Sequence, residues 1–90
     1  AELAPQALAI LDTLGWVHYR RGAYAQAQQV LVRAAEGAPA DAGIQYHLGM
    51  TYYRLGRKED AIFRLRRAAQ LDPRLAEAEK IEAVIRELGG

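Results

Sequence analysis

The sequence predicts an all-α protein in which short helices stack side by side as a solenoid. Two observations lead to this prediction: a repeat with a period of 34 residues, and helical spacing of the apolar residues within each repeat. Leu14-Gly15 returns as Leu48-Gly49, and no segment shows the alternation of a strand. The same offset relates Tyr19 and Tyr53, Gly22 and Gly56, Ala27 and Ala61, Leu31 and Leu65, Ala34 and Ala68, and Pro39 and Pro73. A fixed period of this size is typical of units that bury their apolar faces by stacking on one another.

The first pair of helices follows from its end signals. Apolar residues at helical spacing predict a helix over residues 6–21, which Gly22 ends. A second helix is predicted from Tyr24 to Gly37, where Gly37 and Pro39 break it. Two helices joined by so short a turn lie antiparallel. Pro5 precedes Pro39 by one period, so residues 1–7 are interpreted as the remnant of a preceding unit in a longer array.

The second pair repeats this plan and is followed by one more helix. Asp41 is the predicted N-cap of a helix that ends at Leu55, and residues 58–70 form its partner. A single helix is predicted over residues 75–88, with Ala78, Ile81, Ile85 and Leu88 on one face. Glu82 stands where the two units carry Leu14 and Leu48, and we expect it to face water. The predicted units are therefore residues 8–41 and 42–75, followed by a capping helix over residues 76–90.

Composition argues against several classes of function. The 12 basic and 11 acidic residues give a net charge of +1, without the basic excess typical of nucleic-acid-binding proteins. Cysteine and serine are absent, and no phosphate loop or pair of carboxylates in an apolar setting is evident, so we expect no catalysis and no cofactor. No apolar run approaches the roughly 18 residues of a membrane span. Because the sequence has no cysteine, it gives no sign of a reducing or an oxidising compartment, and both the cytoplasm and the bacterial cell envelope agree with it.

The repeated positions resemble the tetratricopeptide repeat, a helix–turn–helix unit of about 34 residues. The signature positions are Leu11, Leu14, Gly15, His18, Ala27, Leu31, Ala34 and Pro39 in the first unit, and Gln45, Leu48, Gly49, Tyr52, Ala61, Leu65, Ala68 and Pro73 in the second. Departures are His18 for tyrosine, Gln45 for a bulky apolar residue and Lys58 for an aromatic, and we expect them to loosen the packing without changing the fold. The run from Asp12 to Trp16 also resembles the closing repeats of long bacterial arrays. The resemblance implies a right-handed solenoid, in which Gly15 and Gly49 allow helices to cross opposite Ala27 and Ala61.

The family resemblance also implies a binding surface, because partners usually bind a concave groove lined by the first helix of each pair. The corresponding groove residues here are Asp12, Trp16, Tyr19, Arg20, Tyr46, Met50, Tyr53, Arg54 and Lys80, with Ala9, Gly43, Glu77, Val84 and Glu87 beside them. Aromatic, arginine and methionine side chains are those expected in binding hot spots. The alternative is that the tyrosines pack between neighbouring helices. Trp16 favours binding, since a polar residue is usual at its position.

A clamp for a peptide's C-terminal carboxylate, which the resemblance would otherwise suggest, is not predicted. The corresponding positions read Asp12, Trp16, His47, Met50, Glu77 and Ile81, and none of them is lysine, asparagine or arginine. An extended or helical protein segment with apolar anchors fits the groove better. We expect neither a small-molecule substrate nor a metal. His18 is interpreted as a partly buried core residue, and His47 has no acidic neighbour in the sequence.

The sequence thus predicts a non-catalytic scaffold that binds a protein or peptide segment. One alternative is self-association through exposed ends of the stack, since Leu3, Ile10 and Val17 would lack a covering helix and leave the chain marginally stable. A second alternative is weak nucleic-acid binding through the basic residues on the fourth helix. These residues are Arg57, Lys58, Arg64, Arg66 and Arg67. They are interleaved with Glu59 and Asp60, so a solvated surface is the simpler interpretation and nucleic acid is not the expected partner.

Overall fold

The computed structural model describes residues 4–90, and every element within that range is a helix. The helices are α1 (Pro5–Arg20), α2 (Tyr24–Gly37), α3 (Ala42–Leu55), α4 (Lys58–Leu71), α5 (Pro73–Ala78) and α6 (Ile81–Glu87). Each of α1 to α3 packs on the helix that follows it, and α4 packs on both α5 and α6. The prediction of an all-α solenoid is confirmed. Leu3 lies outside the described residues.

The helix ends lie where local chemistry places them. Pro5 occupies the first turn of α1, where its missing N–H costs nothing. The Asp41 carboxylate accepts a hydrogen bond of 3.0 Å from the Ile44 amide and so caps α3, as predicted. Gly22 and Gly56 follow α1 and α3 with φ of 78° and 77°, a left-handed conformation that favours glycine. The predicted bounds of α2 agree with the structure.

Two glycines allow the paired helices to approach closely. A Cβ on Gly15 would lie 2.6 Å from Leu31 Cδ2, and one on Gly49 would lie 2.9 Å from Leu65 Cδ2. Ala27 is fully buried in the same core. The prediction that glycine marks the crossing holds, but the side chain that fills the space is a leucine of the partner helix rather than the alanine expected there. Enlarging either glycine would force a packed leucine to move.

The prediction of a single helix over residues 75–88 is wrong. The helix ends at Ala78, and Lys80 adopts the left-handed conformation with φ of 55° before α6 begins at Ile81. Lysine has no preference for this conformation, and the surrounding residues are good helix formers. The sequence therefore carries no signal for the break. Ala78 is exposed rather than on the packed face. Glu82 faces water as predicted.

Packing explains why the break occurs. Ala76 of α5 and Ile81 of α6 both pack in the core cluster that contains Leu65 and Ala68 of α4. In one continuous helix, residues five positions apart would point in directions about 140° apart, so both could not face α4. The left-handed residue between them reorients the chain, and both apolar side chains reach the same core.

Gln45 is buried without loss of hydrogen bonding. Its side chain is 2% exposed, yet Nε2 donates to the Pro39 carbonyl at 3.0 Å and Oε1 accepts from Arg64 at 3.1 Å. A buried amide with both ends satisfied costs little, and here it joins α3 to α4 and to the preceding turn. The departure from a bulky apolar residue therefore ties elements together instead of loosening their packing.

Candidate interaction surface along α1, α3 and the C-terminal helices

The predicted groove residues lie on successive helices. Asp12, Trp16, Tyr19 and Arg20 belong to α1; Tyr46, Met50, Tyr53 and Arg54 belong to α3; Lys80 lies between α5 and α6. Among these residues and their neighbours, two side-chain hydrogen bonds join α1 to α3 and two join α3 to the C-terminal segment, at separations of 33 to 35 residues. The groove face is defined here as this set together with His47, Glu79 and Glu87. Its helices are joined at equivalent positions, one period apart.

The shortest of these bonds joins α1 to α3. His47 Nδ1 donates to Asp12 Oδ1 at 2.6 Å, and both side chains are largely buried. No acidic residue lies near His47 in the sequence, and the acid that it contacts in the structure lies 35 residues earlier. A separation of one period plus one residue is the sequence signal for such a pair, since it places the two residues on adjacent helices.

Trp16 lies between two other rings. Its indole stacks on Tyr19 at 4.2 Å and 7°, and on His47 at 4.1 Å and 23°. Two nearly parallel rings this close to the indole would collide if they shared one of its faces, so they occupy opposite faces. Both aromatic faces of Trp16 are therefore covered by the protein itself, and its edge is what a partner could touch.

The tyrosines of the groove face also bind neighbouring helices. Arg54 Nε donates to the Tyr19 hydroxyl at 3.2 Å, and the Tyr53 hydroxyl donates to Glu87 at 2.7 Å. The Arg54 guanidinium also lies over the Tyr53 ring, 5.6 Å from its centroid. These contacts support the interpretation that the tyrosines pack between helices, which the sequence alone left open.

Tyr46 connects α3 to the break between α5 and α6. Its hydroxyl donates to Glu79 at 3.2 Å, and its ring packs beside Met50 against the core of α4 and α6. Burial, reinforced by the Glu79 carboxylate, raises the pKa of Tyr46 to about 12, because the phenolate would lose hydration and meet a like charge. Sequence reasoning did not single out Glu79, whose position depends on the unpredicted break.

Charged groups supply the open part of the groove face. Arg20 and Arg54 stand one period apart in the last turns of α1 and α3, and both are exposed, as is Lys80. Arg54 Nε donates to the Tyr19 hydroxyl, and the two terminal nitrogens of Arg54 carry four further N–H donors. This end of the face therefore presents guanidinium and ammonium donors to solvent, while Trp16 and Met50 contribute partly buried apolar surface.

The basic residues of α4 do not form one free patch. Arg57 Nε lies 3.2 Å from Asp60, and Arg64 is engaged by the buried Gln45. Arg66 and Arg67 are exposed on α4. Among residues 4–90 there is no group of three or more side chains placed to hold a metal ion, and no helix long and apolar enough to cross a membrane. His18 is half-buried, in keeping with its interpretation as a core residue.

Comparison with known proteins places these features in a family. Curated protein sequences gave no match to the chain. The family model described as tetratricopeptide repeat matches residues 18–85, which is more than half of the chain. Repeats of this type generally mediate protein–protein interaction and are generally non-catalytic. With its 34-residue period, paired antiparallel helices and glycines at the helix crossings, the chain belongs to the tetratricopeptide repeat family.

Proposed function

We propose that this protein is a non-catalytic scaffold that binds a segment of another protein along the groove face. The observation that carries the proposal is the set of hydrogen bonds between successive helices, which holds α1, α3 and the C-terminal helices in a fixed arrangement before a partner arrives. A surface held in its binding geometry loses little conformational entropy on association. Such a face suits a segment long enough to cross several helices.

The exposed side chains of the groove face indicate the chemistry of the segment that it would bind. Arg20 and Arg54 favour a carboxylate, since a guanidinium presents paired N–H donors that match its two oxygens. Met50 and the edge of Trp16 favour an apolar or aromatic anchor nearby. The proposed ligand is therefore a peptide with at least one acidic residue close to a large apolar one, in an extended or helical conformation.

Selection from a displayed random-peptide library tests this proposal. We expect enriched peptides to combine an acidic and a large apolar residue. Their affinity for the Arg20→Glu variant, in which an exposed charge is reversed, and for the Tyr53→Ala variant should be at least tenfold lower than for the parent protein. Arg67→Glu is the matched control, because it reverses an exposed charge on α4 and should leave affinity unchanged. Circular dichroism would verify that each variant is folded. Peptides that bind Arg20→Glu as tightly as the parent protein would contradict the proposal.

Nucleic-acid binding gains no support from the structure. Two of the five basic residues that suggested it, Arg57 and Arg64, are engaged within the protein, and the net charge is only +1. A binding site for nucleic acid needs several free cations on one surface, and its affinity falls steeply with salt.

A further inference from the structure

The exposed charges of the groove face are separated by sign. The cations Arg20 and Arg54 lie in the last turns of α1 and α3. The anions Glu79 and Glu87 lie in the C-terminal segment, where Glu79 follows α5 and Glu87 ends α6. All four side chains are exposed, and within residues 4–90 none of them takes part in an ion pair. Their charges are therefore not neutralised by one another.

Tyr53 marks the place where the sign changes. The Arg54 guanidinium lies over the Tyr53 ring, 5.6 Å from its centroid. The hydroxyl of the same tyrosine donates to Glu87 Oε1 at 2.7 Å. A cation and an anion thus contact different parts of one side chain on α3, the helix between α1 and the C-terminal segment. The face is cationic towards α1 and anionic towards α6.

Tyr46 holds the second carboxylate in the same way. It lies seven residues before Tyr53, so the two tyrosines share one side of α3, and its hydroxyl donates to Glu79 Oε2 at 3.2 Å. A phenol is a neutral donor, so each carboxylate keeps its negative charge and has a second oxygen for a further hydrogen bond. Two anions are thereby positioned along the edge of the groove face.

The remaining charged groups do not cancel this separation. Asp12, the acid on the cationic side, is largely buried and bonded to His47. Lys80 is close to Glu79 in the sequence, but it lines a depression that is bounded only by residues 73–86 and by no residue of α3. Two acids and two bases line that depression, so its charges balance locally.

We infer that the segment bound by the groove face is bipolar, with an acidic residue over Arg20 and Arg54 and a basic residue over Glu79 and Glu87. This inference rests on the proposed function and adds a charge order to it. Neighbouring helices lie about 8–10 Å apart and an extended chain advances about 3.3 Å per residue, so about three to six residues separate the two charges. The opposite order would bring like charges together, so the charges fix the direction in which a given segment crosses the face.

Synthetic peptides test the charge order. Each labelled peptide holds one glutamate, one phenylalanine and one lysine in an alanine–glycine background, with the two charges about three to six residues apart. Binding is followed by fluorescence anisotropy. An exposed ion pair contributes modestly, so replacing the lysine by glutamine should weaken binding about threefold, and replacing it by glutamate about tenfold.

Variants of one carboxylate assign that preference to the groove face. Glu87→Arg should reverse it, so that the peptide with glutamate in place of lysine binds more tightly than the original. Glu87→Gln keeps an acceptor for the Tyr53 hydroxyl and removes only the charge, so it should reduce the preference for lysine without loss of folding. Glu82→Arg is the matched control: it reverses an exposed charge on the same helix, within the depression bounded by residues 73–86, and should leave the preference unchanged. Circular dichroism would verify that each variant is folded.

The outcomes separate this inference from the proposed function. Peptides that bind and respond to Arg20→Glu, but not to replacement of their lysine, would overturn the charge order and leave groove binding in place. A preference that Glu82→Arg changes as much as Glu87→Arg does would also overturn the charge order. Failure of every peptide to bind the folded protein would overturn the proposed function, and the charge order with it.

Discussion

Trp16 contributes its edge to the groove face, because Tyr19 and His47 cover both of its aromatic faces. The position of Tyr19 follows from helical spacing, but that of His47 depends on how two units lie against each other. Residues on one helix were therefore predictable as a set, and contacts between helices were recognisable only as separations close to 34.

Tyr46 offers a test of the contacts around the groove face. Because its pKa is raised from 10.0 to about 12, the folded state favours the neutral phenol. The resulting stability is complete below pH 10 and is lost as pH rises from 10 towards 12, where the unfolded chain ionises first. The difference in ultraviolet absorbance between the parent and Tyr46→Phe, followed against pH, reports this titration.

The Glu79→Gln variant separates the two causes of that shift. Removing the carboxylate should lower the pKa of Tyr46, and burial, which is the larger cause, should keep it above 10.0. An equal pKa for Tyr46 in the parent protein and in Glu79→Gln would show that the Tyr46–Glu79 contact is not formed. Phe substitution of another tyrosine, Tyr24, is the control for the absorbance measurement, since its ring lies against Tyr19 instead.

At the scale of elements, local end signals predicted α2, α3 and α4 closely. N-cap and left-handed glycine chemistry act within a few residues, so the sequence displays them. The break between α5 and α6 was missed because its cause is tertiary: Ala76 and Ile81 both pack towards α4. Gln45 was misjudged for the same reason, since its partners, Pro39 and Arg64, lie on other elements.

Lys80→Gly tests that break. Glycine adopts a positive φ without the steric cost that lysine bears at 55°, so the variant should be more stable by about 0.5–1 kcal/mol. Urea denaturation followed by circular dichroism measures the difference. Glu82→Gly is the matched control: the residue is also exposed but lies within α6, where glycine should cost about 1 kcal/mol. A loss of stability in Lys80→Gly would mean that the two helices are one.

For the whole molecule, the period predicted the architecture because each unit contacts only its neighbours in sequence. The prediction of the fold therefore needed only local patterns and one repeat length, and both can be read from the sequence. The exposure of Ile10 and Val17 was predicted as well.

Amide hydrogen exchange tests this one-dimensional order. Because α2, α3 and α4 have neighbours on both sides, their amides should exchange most slowly, and those of α1 and α6 faster. Equal protection along the whole chain at low concentration would instead indicate that the units unfold together.

The bond between Asp12 and His47 also has a mechanical consequence. It joins α1 to α3 near the start of a molecule 36 Å long. Most of the packing between the two units lies between α2 and α3, so this bond closes only the groove side of the joint. A ligand group that competed for the Asp12 carboxylate would therefore loosen that side and leave the packed core of the joint in place.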